Sequence, residues 1–154
     1  MAVADGVRPA GPADIVAVLA LWERARSAAA STPDTPETVA RLLHTGPGSL
    51  LVAERGPEGA IVAERAPEGT IVGAVIAAWD GWRGNMYRLA VDPAHRRTGI
   101  ALALVRAGER HLAALGARRV TALVAHEEPD AVGLWAAAGY TRDEDIVRFV
   151  RNLG

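Results

Sequence analysis

Met86-Tyr87-Arg88-Leu89-Ala90-Val91-Asp92-Pro93-Ala94-His95-Arg96-Arg97-Thr98-Gly99-Ile100-Ala101-Leu102-Ala103-Leu104-Val105 is the stretch from which the fold can be read. It begins as an apolar run suited to a strand and ending at Val91. Pro93 then withholds a backbone donor and biases Asp92 away from helix, so the strand stops. A basic turn containing Gly99 follows. Beyond it Ile100, Leu104, Ala107, His111 and Leu115 recur at helical spacing. The order is strand, cationic turn, helix.

That order has a chemical use. The first turn of a helix carries unpaired N–H groups and the positive end of the macrodipole. Gly99 permits close backbone approach, Ala101 adds little bulk, and Arg96 and Arg97 supply guanidinium charge. Together they suit a phosphate or pyrophosphate. On spacing alone the same residues equally describe an ordinary helix entry with two solvated arginines. No Gly-x-Gly-x-x-Gly and no Gly-Lys-Ser/Thr occurs, which argues against dinucleotide and P-loop readings.

Arg96-Arg97-Thr98-Gly99-Ile100-Ala101 resembles the Arg/Gln-x-x-Gly-x-Gly/Ala signature of the GCN5-related N-acetyltransferases, the GNAT superfamily. Leu89-Ala90-Val91-Asp92-Pro93 is similar to that family's central strand and its exit. Leu115-Gly116-Ala117 and Val120-Thr121-Ala122-Leu123-Val124 look like the helix end and the next strand. Ala131-Val132-Gly133-Leu134-Trp135-Ala136-Ala137-Ala138-Gly139-Tyr140 is similar to the late Ala-x-x-Leu/Phe-Tyr-x-x-x-Gly-Phe segment. The resemblance covers nearly the whole chain.

It implies an α/β (α+β) fold: a mixed, mostly antiparallel sheet of six to seven strands flanked by about four helices. The implied order is strand, two helices, three strands, helix, strand, helix, two strands, in one domain spanning 1–154. It also implies acetyl-CoA as co-substrate, in a cleft where the central strand splays from the strand starting near Arg118. Leu89, Ala90 and Val91 would carry the pantetheine arm through backbone groups, Arg96, Arg97, Thr98, Gly99, Ile100 and Ala101 the pyrophosphate, and Trp135 would flank the cofactor. An amine, from a small molecule or a peptide N-terminus, would attack directly with no acyl-enzyme.

Composition sets limits consistent with this. The chain has 154 residues, half of them hydrophobic, and a formal net charge of −1. No strong bulk attraction to nucleic acid or anionic membrane is expected. All 17 basic residues are Arg, so a lysine Schiff base or a P-loop lysine is excluded in this chain. With no cysteine, disulfides, thiolate zinc sites and a Cys nucleophile are excluded as well. His44, His95 and His111 lack metal-like spacing, so no metal is expected. No run approaches the roughly 18 apolar residues of a membrane span, and a cytoplasmic protein is the expectation. A homodimer is an open alternative, since many relatives dimerise.

Upstream, Val7-Arg8-Pro9 reads as a short strand, and a helix follows from Pro12-Ala13-Asp14 through Ser27 with Ile15, Val18, Leu19 and Trp22 on one face. Thr35-Pro36-Glu37 reads as a cap, a first-turn proline and an acidic residue opening a helix to His44. By resemblance, Ser31 and Thr32 could line the acceptor pocket; a solvated loop is the plainer reading of both. Ser49 to Arg55 reads as a strand. Next, Val52-Ala53-Glu54-Arg55-Gly56-Pro57-Glu58-Gly59-Ala60-Ile61 is echoed by Val62-Ala63-Glu64-Arg65-Ala66-Pro67-Glu68-Gly69-Thr70-Ile71, identical at eight of ten positions. An even period leaves strand register poorly specified. Either the hairpin gains Ala60 to Ala63 as extra strand, or one copy bulges out. The expectation is a protruding, mobile excursion between Gly56 and Gly69 without catalytic part. Ile71 to Trp79 reads as a buried central strand, and Asp80-Gly81-Trp82-Arg83-Gly84 as a turn that could form a substrate lip or simply be exposed. Tyr140 to Asp145 and Ile146 to Val150 read as the last two strands.

Asp80 and Glu127 are the candidate bases for deprotonating the amine. Each also has a plain reading, as a turn-capping Asp and a solvated loop Glu. Trp135 stands where many relatives place a Tyr that protonates the leaving thiolate, and indole N–H is no useful acid. Tyr87 and Tyr140 are the candidate replacements. Glu128 stands where the family often has Asn. These two departures support an alternative: an acyl-CoA-binding sensor or interaction module with little turnover.

Overall fold

In the computed structural model, residues 6–25, 34–56, 59–62, 69–124 and 129–154 are described. The most apolar stretch takes the middle of the sheet. The strand Thr70–Trp79 is buried without interruption from Ile71 to Ala77, as a strand covered on both faces must be. We number the strands β1 (Val7–Pro9), β2 (Leu50–Arg55), β3 (Ile61–Val62), β4 (Thr70–Trp79), β5 (Gly84–Val91) and β6 (Val120–Ala122). The helices are α1 (Ile15–Arg24), α2 (Pro36–Thr45), α3 (Ile100–Leu115) and α4 (Pro129–Ala137). Short 3-10 turns at Pro12–Asp14 and Pro93–His95 precede α1 and follow β5.

The sheet order is β1-β2-β4-β5-β6, antiparallel throughout except for the parallel pair β5–β6. The expected mixed, mostly antiparallel sheet with four helices is therefore present. Side chains alternate between faces with the period of a strand. Leu50 and Val52 join Val18, Leu21, Trp22 and Val39 under α1 and α2. Leu51 and Ala53 join Leu104, Val105, Leu112 and Trp135 under α3 and α4.

One glycine sets the height of α3 above the sheet. A Cβ at Gly73 would come 2.8 Å from Ile100 Cγ2 and 2.9 Å from Leu104 Cδ1. Gly73 also pairs with Val91, the last residue of β5. The missing side chain thus seats the first turn of α3 beside the end of β5.

The helix entries follow the chemistry read from sequence, with one exception. Thr35 caps α2 by accepting the Thr38 N–H at 3.1 Å, with Pro36 in the first turn and Glu37 after it. Asp14 instead turns inward. It takes Arg8 at 2.8 and 2.9 Å and the Gly11 N–H at 2.8 Å, while Arg8 also reaches Glu54 at 3.3 Å. This buried ionic group stitches β1, β2 and the entry to α1 together.

Two expectations are corrected. The duplicated segment does not simply protrude: Ile61–Val62 forms β3, pairing Arg55 with Ile61 and Glu54 with Val62, and Ile61 packs against the core. Positions 57–58 and 63–68 lie outside the described residues. The final two strands do not form. Ile146, Val147, Phe149 and Val150 are 69–92% exposed, and residues 141–154 contain no ladder. Ile146-Val147 and Phe149-Val150 put apolar side chains on both faces of any strand, so neither face is chosen. The polar run before them folds locally, the Asp145 N–H donating to Asp143 Oδ1 at 3.1 Å.

Candidate active site

The site begins where β5 parts from β6. The two strands pair only over Gly84–Val120, Asn85–Thr121 and Met86–Ala122, closed by the Leu123 N–H donating to the Met86 carbonyl at 3.2 Å. From Tyr87 to Val91, β5 continues with no partner on that side among the described residues. A bulge lies at this point. Ala74 pairs with Ala90 but Ile76 pairs with Tyr87, so β5 carries one residue more than β4 across the interval. Arg88 absorbs it with φ +55°, a left-handed conformation that an L side chain adopts only at a cost of about 1–2 kcal/mol. Bulges bend and twist a strand, which is the local cause of the open seam.

The exposed edge leads into the cationic turn. Asp92 accepts the Ala94 N–H at 2.9 Å and Arg24 at 3.0 Å; the first contact, then Arg24, holds its carboxyl below the usual range. Thr98 Oγ1 donates to the His95 carbonyl at 2.6 Å, and Arg55 meets His95 Nε2 at 2.6 Å. Arg96, Arg97, Thr98 and Gly99 are all exposed. Arg97 and Gly99 are left-handed, at φ +62° and +84°. A Cβ at Gly99 would meet nothing within 4 Å, so glycine serves the backbone conformation and the open space above it rather than internal packing. α3 starts at Ile100 with no side-chain cap, its first N–H groups unclaimed by intrahelical bonds. This donor set, facing open space at the end of an unpaired strand edge, fits the diphosphate and pantetheine arm of acetyl-CoA.

The two faces of the seam differ. On the α3/α4 face, Trp135 is 7% exposed and meets Tyr140 edge-to-face at 4.8 Å. The Tyr140 hydroxyl donates to Glu109 at 3.0 Å, and Glu109 is held by Arg106 at 2.9 Å. Burial, then Glu109, pushes the Tyr140 phenol upward. Its proton is committed to Glu109. On the α1/α2 face, Tyr87 packs under α1, and burial raises its phenol too. Arg88 lies 4.9 Å over the Trp22 ring and pairs with Asp34. Trp22 is 5% exposed, and its buried indole N–H has no hydrogen-bond partner among the described residues.

Asp80 is placed elsewhere. It is exposed and accepts the Trp82 and Arg83 N–H groups at 2.8 and 2.6 Å, which lower its pKa. Its turn joins β4 to the Gly84 end of β5, the end away from Arg96–Ala101. Trp82 is 81% exposed with Arg83 stacked on it at 5.2 Å, an exposed turn rather than a lip. Glu127, His126, Glu128, Ser31 and Thr32 lie outside the described residues. Among the described residues no cluster of His, Asp or Glu is arranged to hold a metal. No helix there is long and apolar enough to cross a membrane. Sequence reading missed the group Trp22–Arg88–Asp34; the signal available was a lone arginine inside an otherwise apolar strand.

The model of the acetyltransferase (GNAT) family matches residues 16–140. The chain belongs to that family. An acetyltransferase of Pectobacterium atrosepticum is 32% identical over 127 residues, covering 82% of this chain and 81% of the relative. Among solved structures, Ard1 of Thermoplasma volcanium superposes with a TM-score of 0.69 at 20% identity, covering 88% and 81% of the two chains. AAC(6')-Iy, solved with the bisubstrate analogue CoA-S-monomethyl-acetylneamine, superposes at 0.68 with 15% identity, covering 96% and 97%. This GNAT acetyltransferase therefore shares its fold with proteins whose sequences are only 15–20% identical to its own.

Proposed function

We propose that this acetyltransferase moves an acetyl group from acetyl-CoA to a primary amine, on a small molecule or a peptide N-terminus, by direct attack. The observation that supports it most is the continuity of the free β5 edge from Tyr87 to Val91 with the open helix start at Gly99. In this reading backbone groups of Leu89, Ala90 and Val91 extend the sheet onto the pantetheine arm. N–H groups from Arg97 to Ala101 hold the diphosphate, Arg96 adds charge, and Trp135 walls the far side. Bound acetyl-CoA supplies a thioester carbonyl; the amine nitrogen bonds to its carbon as the C–S bond breaks and the thiol leaves. The amine gives up one proton. Glu127 is the base candidate that remains from the sequence, because the Asp80 carboxylate is occupied by its own turn.

The test is calorimetric titration of CoA, followed by thiol release from acetyl-CoA with a panel of amines. Micromolar uptake and amine-dependent release are expected. A second reading keeps the cleft without turnover, as an acyl-CoA sensor. The commitment of the Tyr140 proton to Glu109 favours it, since that hydroxyl is then not available to protonate the thiolate. CoA uptake without release for any amine would select this second reading.

A further inference from the structure

The α3/α4 face of the seam is filled by Trp135, Ala138 and Leu104. An acceptor therefore approaches from the α1/α2 face, where the bulge delivers Arg88. Resting on the acetyltransfer reading above, we propose that the acceptor is an amine that also carries a carboxylate one or two carbons away, an α- or β-amino acid. Arg88 receives the carboxylate and Asp34 the ammonium.

Three observations carry this. Arg88 is the bulged residue itself, held left-handed at φ +55°, so its side chain is fixed to the point where the strand edge comes free. Its guanidinium lies 4.9 Å over the centre of the Trp22 ring, a contact that restrains the fork that carboxylates bind in two places. Its partner Asp34 stands at the entry to α2, and both side chains keep solvent access, at 22% and 30%. A zwitterion with its charges one ion pair apart is the electrostatic mirror of that pair. It can replace one contact with two. A polycation would instead meet Arg88 head-on.

In the transfer itself the amine nitrogen attacks the thioester carbon, the C–S bond breaks, and CoA leaves as thiolate. The ammonium first gives one proton to water while Asp34 holds the nitrogen. After attack the nitrogen gives up a second proton, which reaches the departing thiolate through water and completes the thiol. No other reactant is needed.

The test uses free α- and β-amino acids, each paired with its carboxamide, against the intact protein. CoA titration first establishes the cofactor cleft; its failure would remove the acetyltransfer reading and not the charge logic. Titration of each pair into the CoA-loaded protein then reads the acceptor face. Expected is about a 10- to 100-fold preference for the free carboxylate over the amide in at least one pair, the usual weight of a charge-assisted contact. Arg88→Gln should abolish the preference, and Arg88→Lys should restore part of it, with CoA affinity unchanged in both. Where turnover is seen, the loss should fall on KM more than kcat. Equal binding of acid and amide, stronger binding of the amide, or a preference that survives Arg88→Gln would each overturn the proposal.

Discussion

Two Asp-led, Gly- and Arg-bearing turns bound β5. Asp80-Gly81-Trp82-Arg83-Gly84 precedes the strand and Asp92 to Ala101 follows it. They look alike at short range. Each opens with an Asp that accepts a backbone N–H two residues on, and each Asp is held below its usual pKa first by such bonds. Each contains a left-handed glycine whose Cβ would meet nothing within 4 Å, Gly81 at φ +91° and Gly99 at φ +84°. What separates them is the next element. The first turn runs into a strand paired on both sides, so its backbone donors are taken. The second runs into the uncapped start of a sixteen-residue helix, so donors are left over and aim together. In the proposed reading anion recognition is a property of what the turn feeds, since both turns carry arginine.

Matched substitutions press on that difference. Gly99→Val and Gly81→Val should each lose about 1–2 kcal/mol of stability, the left-handed penalty, in thermal or denaturant melts. Only Gly99→Val should also weaken CoA, by about 100-fold or more, because its side chain stands over the helix start; calorimetry reads this. Equal CoA affinity in the two variants would erase the contrast. A smaller effect is expected from charge. Arg96→Ala and Arg97→Ala should each weaken CoA about three- to tenfold, less at high salt, while Arg83→Ala leaves affinity unchanged.

The smallest effect concerns protons. Both Asp pKa values are lowered in the fold, so both carboxylates contribute stability above the unfolded value of about 3.9 and lose it as pH falls through the lower folded value. Melting temperature followed from about pH 5 to pH 2 should fall less steeply for Asp80→Asn and Asp92→Asn than for the parent. Asp92→Asn should show the larger change, because it also gives up Arg24. An unaltered slope in both would show that these turns do not sense acid.

The parts of the fold written at short range were legible. A buried run from Ile71 to Ala77, a Pro-stopped strand and helical spacing after Gly99 each state their element within a few residues. Thr35-Pro36-Glu37 is likewise a complete local instruction. What escaped depends on partners distant in sequence. Asp14 reads only as part of a helix start, and its tie to Arg8, which also reaches Glu54, appears once the strands are assembled. Trp22, Asp34 and Arg88 meet only after α1 is laid across β5. The tail from Ile146 has strand-like residues but no alternation that selects a face, and β6 offers it only three rungs. Asp80 was legible as a residue and misleading as a base, because a turn carboxylate looks the same in sequence whether or not its oxygen is already taken.

The tandem decapeptide has a consequence for solubility. β1 covers β2 only from Leu51 to Ala53, while Glu54 and Arg55 are met on that flank by Val62 and Ile61 and on the other by Ile71 and Thr70. Corresponding residues of the two copies, Ile61 opposite Arg55 and Ile71 opposite Glu54, thus flank neighbouring rungs of β2 from opposite sides. A chain carrying one copy would bare a short run of unsatisfied backbone along its rim, the kind of surface by which sheets adhere to one another.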